Sequence, residues 1–325
     1  MIRISCAFAT SMTTPDHVVA AEQLGYHRAW LYDSPALYPD VWASLALSAI
    51  RTSRIGLGPG VLIPSLRHPM VNAAAIGMLS ELAPGRLAVA IGSGFTGRMT
   101  MGQKPLSWKF VRHYVETLQA LLRGEAVEWE GGLIQMMHPE GFGPARPIEV
   151  PMILGVGGPK GAAAAAELAG GIFVSGMPPG PVPAGSMCVQ LAFGTVLGDD
   201  EDAGSERALA AAGHGAGVAL HAMWERGADF SRFPGGPEWI AEIESLPPAE
   251  RRLAVHDRHL IALTERDAKV VNGPLLRQFG LARTRAEWRQ QLARLEAAGI
   301  TEIAYQPAGP DIPGELRRFA EAAGI

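Results

Sequence analysis

The sequence predicts an α/β fold, namely a closed (β/α)8 TIM barrel with insertions. Short apolar segments typical of strands alternate with amphipathic segments typical of helices along almost all of the 325 residues. Because a strand, a helix and a second strand in succession imply parallel strands and right-handed connections, this order is that of a parallel sheet covered by helices. An open doubly wound sheet fits the same order, but eight strands without a break in composition favour the barrel.

The first half of the chain contains four strand–helix pairs. Asp16 near the start of the first helix and Gly25 after its end are typical helix boundaries, and Pro84 with Gly85 ends the third helix. The predicted strands cover residues 2–9, 28–33, 54–61 and 86–94, and the helices that follow them cover residues 14–25, 38–52, 67–85 and 108–124.

The second half interrupts this alternation twice. Residues 125–148 carry two apolar arms around Gly131–Gly132, which predict a β-hairpin excursion. Residues at about 227–262 are rich in proline, glycine and aromatic side chains, which predicts an irregular insertion. No linker divides the chain, so we expect residues 1–325 to form a single domain. The remaining predicted strands cover residues 150–157, 171–176, 186–198 and 300–309, and the remaining helices cover residues 158–170, 199–227, 284–299 and 312–324.

Composition and charge limit the classes of partner. The net charge is −4 and 18% of the residues are charged, with no run of lysine and arginine that would follow a nucleic-acid backbone. No apolar run approaches the roughly 20 residues that span a membrane. Cys6 and Cys188 both lie in apolar segments, which predicts buried free thiols in a reducing compartment. We therefore expect a cytoplasmic protein whose partner is a small molecule or another subunit, with neither nucleic acid nor membrane.

A glycine pattern after the fourth strand invites a dinucleotide interpretation. Gly92, Gly94 and Gly97 spell G-x-G-x-x-G, but that fingerprint requires a helix opening at the glycines and an acidic residue about 20 positions further on. Pro105 interrupts the stretch that follows, and the first acidic residue, Glu116, falls inside the next helix. The sequence instead predicts a wide loop at the carboxyl end of a barrel strand, where TIM-barrel enzymes carry their active sites.

Two further segments at strand ends have a specific physical interpretation. The segment Gly157–Gly158–Pro159–Lys160 joins a strand to an alanine-rich helix, whose free amides and dipole can hold a phosphate. A plain glycine-capped turn is the alternative. Pro59 and Gly60 stand within the third strand, and a proline cannot donate to a strand ladder, so we expect a bulge there.

At these segments the chain resembles the luciferase-like flavin oxidoreductases, a superfamily of TIM barrels that use FMN or the deazaflavin F420. The resemblance covers nearly the whole chain, and the loop that contains Pro159 and Lys160 is more similar to the F420 branch, which includes methylenetetrahydromethanopterin reductases. It rests on the order and spacing of TSRIGLGPGVLIPSLRHP (52–69), LAPGRLAVAIGSG (82–94), VPMILGVGGPKG (150–161) with GGIFVSG (170–176), and LEAAGITEIAYQPAGPD (295–311).

The resemblance implies a set of cofactor contacts. Gly60 and Val61 match the position of a non-proline cis peptide that lies behind the flavin ring in relatives, and Ser93 matches a position near the ring edge, as does Asp33. Two sets of phosphate contacts are implied. They are Gly157, Gly158, Pro159 and Lys160, and Ser175 and Gly176.

Two positions depart from the family pattern. Ser34 stands where many relatives have histidine, and Phe95 stands where several F420-dependent relatives have an acidic residue. The proton for reduction of a double bond must then come from elsewhere. We take Asp33, Ser34 and Arg98 as the catalytic candidates, with Arg98 as an electrostatic aid and with water or the substrate as other proton sources.

Three functions follow from the resemblance and its departures. The first is an F420-dependent oxidoreductase that transfers hydride between the deazaflavin and a small organic substrate. The second is an FMN-dependent monooxygenase that uses reduced flavin and O2, and the third is a non-catalytic barrel with a binding role. The resemblance and the apolar helix at residues 108–124 predict a homodimer. No metal site is predicted, because His256 and His259 have no evident third ligand nearby in the sequence.

Overall fold

A computed structural model describes residues 1–325, which form two compact units. Unit 1 comprises Met1–Leu191 and Ala298–Ala304, and unit 2 comprises Ala192–Ala297 and Tyr305–Ile325. The expectation of a single domain stays a prediction, and the two units are described separately below. No helix is long and apolar enough to cross a membrane.

Eight parallel strands close into a barrel, which confirms the predicted fold. The strands are β1 (Arg3–Phe8), β2 (Arg28–Leu31), β3 (Gly56–Leu62), β4 (Val89–Gly92), β7 (Met152–Gly155), β8 (Gly171–Val174), β9 (Met187–Phe193) and β12 (Glu302–Gln306). Their order around the barrel is β1-β12-β9-β8-β7-β4-β3-β2. Seven barrel strands fall within predicted segments and β3 extends one residue beyond its segment, to Leu62. Strands that are buried on both faces are short apolar runs in the sequence, which is why they were predicted.

Twelve helices accompany the strands. They are α1 (Thr14–Gln23), α2 (Val41–Arg51), α3 (Pro69–Leu82), α4 (Phe95–Met99), α5 (Trp108–Arg123), α6 (Pro159–Leu168), α7 (Glu206–Glu225), α8 (Gly236–Ser245), α9 (Pro248–Val255), α10 (Gly273–Gln278), α11 (Arg285–Ala297) and α12 (Ile312–Ala323). Residues 227–262 therefore contain α8 and α9 and are not irregular throughout. The helix predicted from residue 199 begins at Glu206 instead, since Ser205 accepts a hydrogen bond from the Ala208 amide and caps it.

Four short strands lie outside the barrel. The predicted hairpin is present as β5 (Val127–Trp129) and β6 (Gly132–Ile134), which pair in antiparallel fashion. Its two turn residues are Glu130 and Gly131, not the predicted Gly131–Gly132, and both have positive φ, of 51° and 80°. A two-residue turn of this kind matches the twist of the strands. The predicted seventh strand stops at β9, and Thr195–Leu197 form β10, which pairs in parallel with β11 (Ala282–Thr284).

Inside unit 1, the carboxylate of Glu302 links three barrel strands. Its Oε1 atom accepts hydrogen bonds from Ser5 Oγ at 2.7 Å and from Trp30 Nε1 at 2.8 Å. Arg28 Nε lies 3.7 Å from the same oxygen, so the buried charge has an opposite charge beside it. The ring of Phe173 meets Trp30 edge-on, with centroids 5.4 Å apart. The barrel interior is thus a filled core.

Both units have apolar cores. In unit 1, the apolar face of α5 is buried, including Val111, Val115, Leu118 and Leu122. In unit 2, Trp239 is fully buried and stacks on Phe230 with ring centroids 4.9 Å apart. Cys6 and Cys188 are buried and unpaired, as predicted.

Candidate functional site

The predicted site residues all belong to unit 1. Gly60 and Val61 lie near the carboxyl end of β3, and the others follow the carboxyl ends of β2, β4, β7 and β8. Because the strands of a closed parallel barrel point the same way, their carboxyl ends meet at one end of the barrel. The fold therefore brings the predicted cofactor and catalytic residues to the same end, although they are far apart in the sequence.

The bulge expected in β3 is present. The peptide bond between Gly60 and Val61 is cis, and the register of β3 against β4 shifts between Gly60 and Leu62. The Val61 side chain fills the space beside two glycines, since a Cβ atom at Gly92 would lie 2.7 Å from Val61 Cγ2 and one at Gly155 would lie 2.9 Å from Val61 Cγ1. These two strand ends accept only glycine as long as Val61 keeps this position.

Asp33 is fixed by contacts with protein groups. Both carboxylate oxygens accept hydrogen bonds from Arg67 Nη1 at 2.8 Å, and Oδ2 also accepts from the Ile63 amide at 3.3 Å. Arg67 Nη2 donates to Asp40 at 2.6 Å. Burial raises the pKa of Asp33, and the neighbouring Arg67 charge opposes this rise. Asp33 thus holds the segment that follows β3, and its assignment as a proton donor stays a prediction.

The other two catalytic candidates lie close to the same segment. Arg98 Nη1 donates to Ser65 Oγ, and its Nε donates to the Lys104 carbonyl at 2.6 Å. Ser34 Oγ would lie 3.0 Å from a Cβ atom at Gly97. Both contacts involve α4 or the segment directly after it, although the sequence analysis expected a loop until Trp108. The helix begins after Gly94, whose φ of 76° is unfavourable for other residues.

The predicted phosphate segment forms the start of α6. Gly158 is the N-cap residue, Pro159 occupies the first helical turn, and Lys160 is exposed. A Cβ atom at Gly157 or Gly158 would meet no atom within 4 Å, so the space in front of these residues is open. An exposed helix N-terminus with a cation beside it is suited to an anion such as phosphate.

Three further predicted contacts have defined surroundings. Ser175 and Gly176 are exposed directly after β8, and the Gly176 carbonyl accepts a hydrogen bond from Gln190 Nε2 at 3.1 Å. The Ser93 carbonyl accepts a hydrogen bond from the Leu106 amide at 2.9 Å and so ties the end of β4 to the residues before α5.

The sequence analysis missed two residues of this region. Arg67 carries the ion pair with Asp33, but the two residues lie 34 positions apart and only the fold brings them together. Trp108 supports the phosphate helix, since a Cβ atom at Gly161 would lie 2.4 Å from Trp108 Cζ2. The glycine at the third position of an alanine-rich helix was a signal for this close contact.

Comparison with known proteins agrees with this geometry. The model of the luciferase-like monooxygenase family matches residues 11–184. A 5,10-methylenetetrahydromethanopterin reductase from Archaeoglobus fulgidus is 26% identical over 311 residues, which cover 91% of this chain and 90% of that protein. An F420-dependent glucose-6-phosphate dehydrogenase from Intrasporangium calvum is 32% identical over 161 residues, which cover 44% and 48% of the two chains.

Solved structures share the fold at lower identity. An F420-dependent secondary alcohol dehydrogenase in complex with an F420–acetone adduct has a TM-score of 0.65 and 17% identity, with 99% of both chains covered. The oxygenating constituent of 3,6-diketocamphane monooxygenase from Pseudomonas putida, in complex with FMN, has a TM-score of 0.65 and 15% identity, with 99% of this chain and 98% of that one covered. At this level of identity the likeness concerns the fold alone.

Proposed function

Because the chain belongs to the luciferase-like monooxygenase family, we propose that it is an F420-dependent oxidoreductase that transfers hydride between the deazaflavin and a small organic substrate. The observation that carries this proposal is the open, glycine-lined start of α6 at the end of the barrel where the other predicted contacts meet. The choice of F420 over FMN is supported by the F420-dependent glucose-6-phosphate dehydrogenase from I. calvum, which is 32% identical over 44% of this chain.

Different residues at this end of the barrel bind different parts of the cofactor. The start of α6, with Gly157, Gly158 and Lys160, binds the phosphate group of the cofactor, and Ser175 and Gly176 provide further phosphate contacts. Gly60 and Val61 support one face of the ring, and Ser93 lies at its edge. The deazaflavin, when bound, supplies the hydride chemistry, and the protein provides position and shelter from water.

The catalytic candidates are Asp33, Ser34 and Arg98. They serve the reaction mainly by positioning the segments that line the site. Asp33 and Arg98 both hold the segment after β3, through Arg67 and Ser65 respectively. Ser34 is only partly buried and lies beside Gly97, so its hydroxyl group is available to orient a substrate. The proton that a reduction requires comes from water, from the substrate or from Asp33.

The decisive experiment is a titration of the purified apoprotein with F420 and with FMN, side by side. We expect F420 to bind tightly and FMN weakly. Failure of F420 to bind, together with oxygen-dependent turnover of reduced FMN, would establish the monooxygenase alternative, which the FMN-bound structural neighbour favours. If neither cofactor binds, the chain is a non-catalytic barrel with a binding role.

Two isosteric variants test the phosphate assignment. Gly158 has φ of −169°, which any residue adopts, and its Cβ position is open. Asparagine and aspartate are equally good N-cap residues, so Gly158→Asn and Gly158→Asp differ only in charge. We expect the Kd for F420 to be at least about tenfold higher in Gly158→Asp than in Gly158→Asn, because the new carboxylate repels the phosphate. Equal Kd values in the two variants would place the phosphate elsewhere.

We also propose the partners and the cellular location of the protein. The partner is a small-molecule substrate, and the chain forms a homodimer. A cytoplasmic location is supported by the two unpaired, buried cysteines, since disulfides are rare in reducing compartments.

A further inference from the structure

Unit 2 contains three buried histidines whose rings converge. His221 lies on α7, His256 directly follows α9, and His259 lies in the turn after it. Their side chains offer ligand atoms that all lie within 4.8 Å of one another. The sequence analysis found no third ligand for His256 and His259, because His221 lies 38 positions before His259 and only the fold brings it close.

The distances between the ring nitrogens match a metal coordination sphere. His259 Nδ1 lies 3.2 Å from His256 Nδ1 and 3.4 Å from His221 Nδ1. Zinc binds histidine nitrogen at about 2.0–2.1 Å in tetrahedral geometry, which places two ligand nitrogens about 3.3–3.4 Å apart. These two separations are those of ligands that surround one ion, and the ligand atoms of His221 and His256 lie within 4.8 Å of each other.

The outer nitrogens of two rings face carboxylates. His221 Nε2 lies 3.3 Å from Asp267 Oδ2, and the other oxygen of Asp267 accepts a hydrogen bond from Trp239 Nε1 at 2.8 Å. His256 Nε2 lies 3.8 Å from Glu225 Oε1 and makes no hydrogen bond. A hydrogen bond to Asp267 would fix the His221 tautomer with the proton on Nε2, so that Nδ1 presents a lone pair, whereas Glu225 only places a negative charge near His256 Nε2.

Hydrogen bonds among three neutral rings cannot account for the inner contacts. If a neutral His221 donates through Nε2 to Asp267, its Nδ1 carries no proton. A single proton on His259 Nδ1 can point to only one of its two neighbours, His221 or His256, and the other contact is then left without a hydrogen bond. A cation at the centre accepts all three lone pairs at once.

The backbone beside His259 also favours ligation. Arg258 and Leu260, on either side of His259, have φ of 52° and 61°. Left-handed backbone is unfavourable for such residues and recurs where a side chain must be held in one direction.

We propose that His221, His256 and His259 form a binding site for one divalent transition-metal ion per chain, with Asp267 and Glu225 as the carboxylates behind the ligands. The three ligands come from α7 and from the turn after α9, so the ion cross-links two segments of unit 2. Neutral imidazole nitrogens favour zinc and its neighbours over magnesium or calcium, and we take Zn2+ as the probe.

The test is metal binding by the full-length protein without a histidine tag. The protein is stripped with a chelator, loaded with Zn2+, separated from free ion, and its zinc content is measured. We expect one zinc ion per chain in the wild type and less than a tenth of that in His259→Gln and His221→Gln. We expect Asp267→Asn to bind zinc about 10–100-fold more weakly.

Two histidine variants outside the cluster serve as controls. His214→Gln changes another buried histidine of α7, and His138→Gln changes an exposed one; both should keep the wild-type stoichiometry. X-ray absorption of the zinc-loaded wild type keeps the test independent of variant folding and should show three imidazole ligands. A wild type that retains no zinc, zinc retained in full by His259→Gln, or a metal environment without imidazole would each overturn the proposal. A protonated His221 hydrogen-bonded to a neutral His259 would then explain the contacts.

Discussion

Arg67 is the residue on which the arrangement after β3 depends most. Its guanidinium group is only 14% exposed and bonds to Asp33 and to Asp40, and the Asp33 side chain is almost completely buried. Removing one partner of a buried ion pair leaves the other charge without compensation, whereas an exposed pair contributes little. The contribution of Arg67 should therefore far exceed that of an exposed arginine.

We expect Arg67→Met to lower the free energy of unfolding by about 3–5 kcal/mol, measured by urea denaturation at pH 7. Arg51→Met is the control, because Arg51 and its partner Asp16 are both about half exposed, and we expect it to cost less than about 1 kcal/mol. Adding Asp33→Asn to Arg67→Met should restore part of the loss by removing the unpaired charge. Equal losses in the two arginine variants would contradict this account.

His214 predicts a pH dependence of stability. It is buried on α7, and burial lowers its pKa from 6.5 to about 4. Between pH 6.5 and pH 4 the unfolded chain binds a proton at His214 that the folded protein does not bind. The contribution of neutral His214 to the free energy of unfolding is therefore fully present above pH 6.5 and is lost as the pH falls toward 4. The whole loss amounts to about 3 kcal/mol for a shift of this size.

We expect His214→Leu to lose less stability than the wild type between pH 7 and pH 4.5, as measured by urea denaturation at several pH values in the presence of a chelator. His138→Leu should follow the wild-type curve, since His138 is exposed. A His214→Leu curve parallel to that of the wild type would show that His214 is protonated in the folded protein.

Among the helices and strands, the length and burial of an element decided whether it could be predicted from the sequence. The eight barrel strands were predicted because they are apolar runs buried on both faces, and helices such as α5 because their apolar patterns are long and regular. The helix α4 was missed because it has only five residues and follows a glycine. The predicted seventh strand covered both β9 and β10 and missed the break at Gly194, and β11 was missed because its three residues carry no period. The helices α8 and α9 were not predicted, because the proline and glycine residues at their starts are typical of irregular segments.

The candidate site could also be predicted only in part from the sequence, for a different reason. The glycines of the strand ends could be recognised because close backbone contact leaves a local sequence signal, as at Gly60, Gly157 and Gly158. The contacts of Arg67 with Asp33 and of His221 with His259 leave no such signal, because each joins positions that only the fold brings together. Their identification required the barrel and the packing of unit 2.

At the scale of the whole molecule, the question is which surface supports the predicted homodimer. The prediction rested on the apolar helix at residues 108–124, but the apolar face of α5 with Val111, Val115, Leu118 and Leu122 is buried within unit 1. The neighbouring helices α2 and α3 instead expose four large apolar side chains between 49% and 65%. These are Leu47, Ile50, Val71 and Met78. Contiguous exposed apolar surface commonly marks an interface.

We expect the wild type to have twice the chain mass in light scattering after size exclusion, with α2 and α3 of one protomer against the same helices of its partner. In a two-fold symmetric dimer each substitution occurs twice, so Ile50→Glu and Met78→Glu each place two charges in the interface and should yield monomers. Leu133→Glu is the control, because Leu133 is 77% exposed and lies on β6, outside α2 and α3. A dimer that survives both Ile50→Glu and Met78→Glu would require a different interface, and a monomeric wild type would refute the dimer.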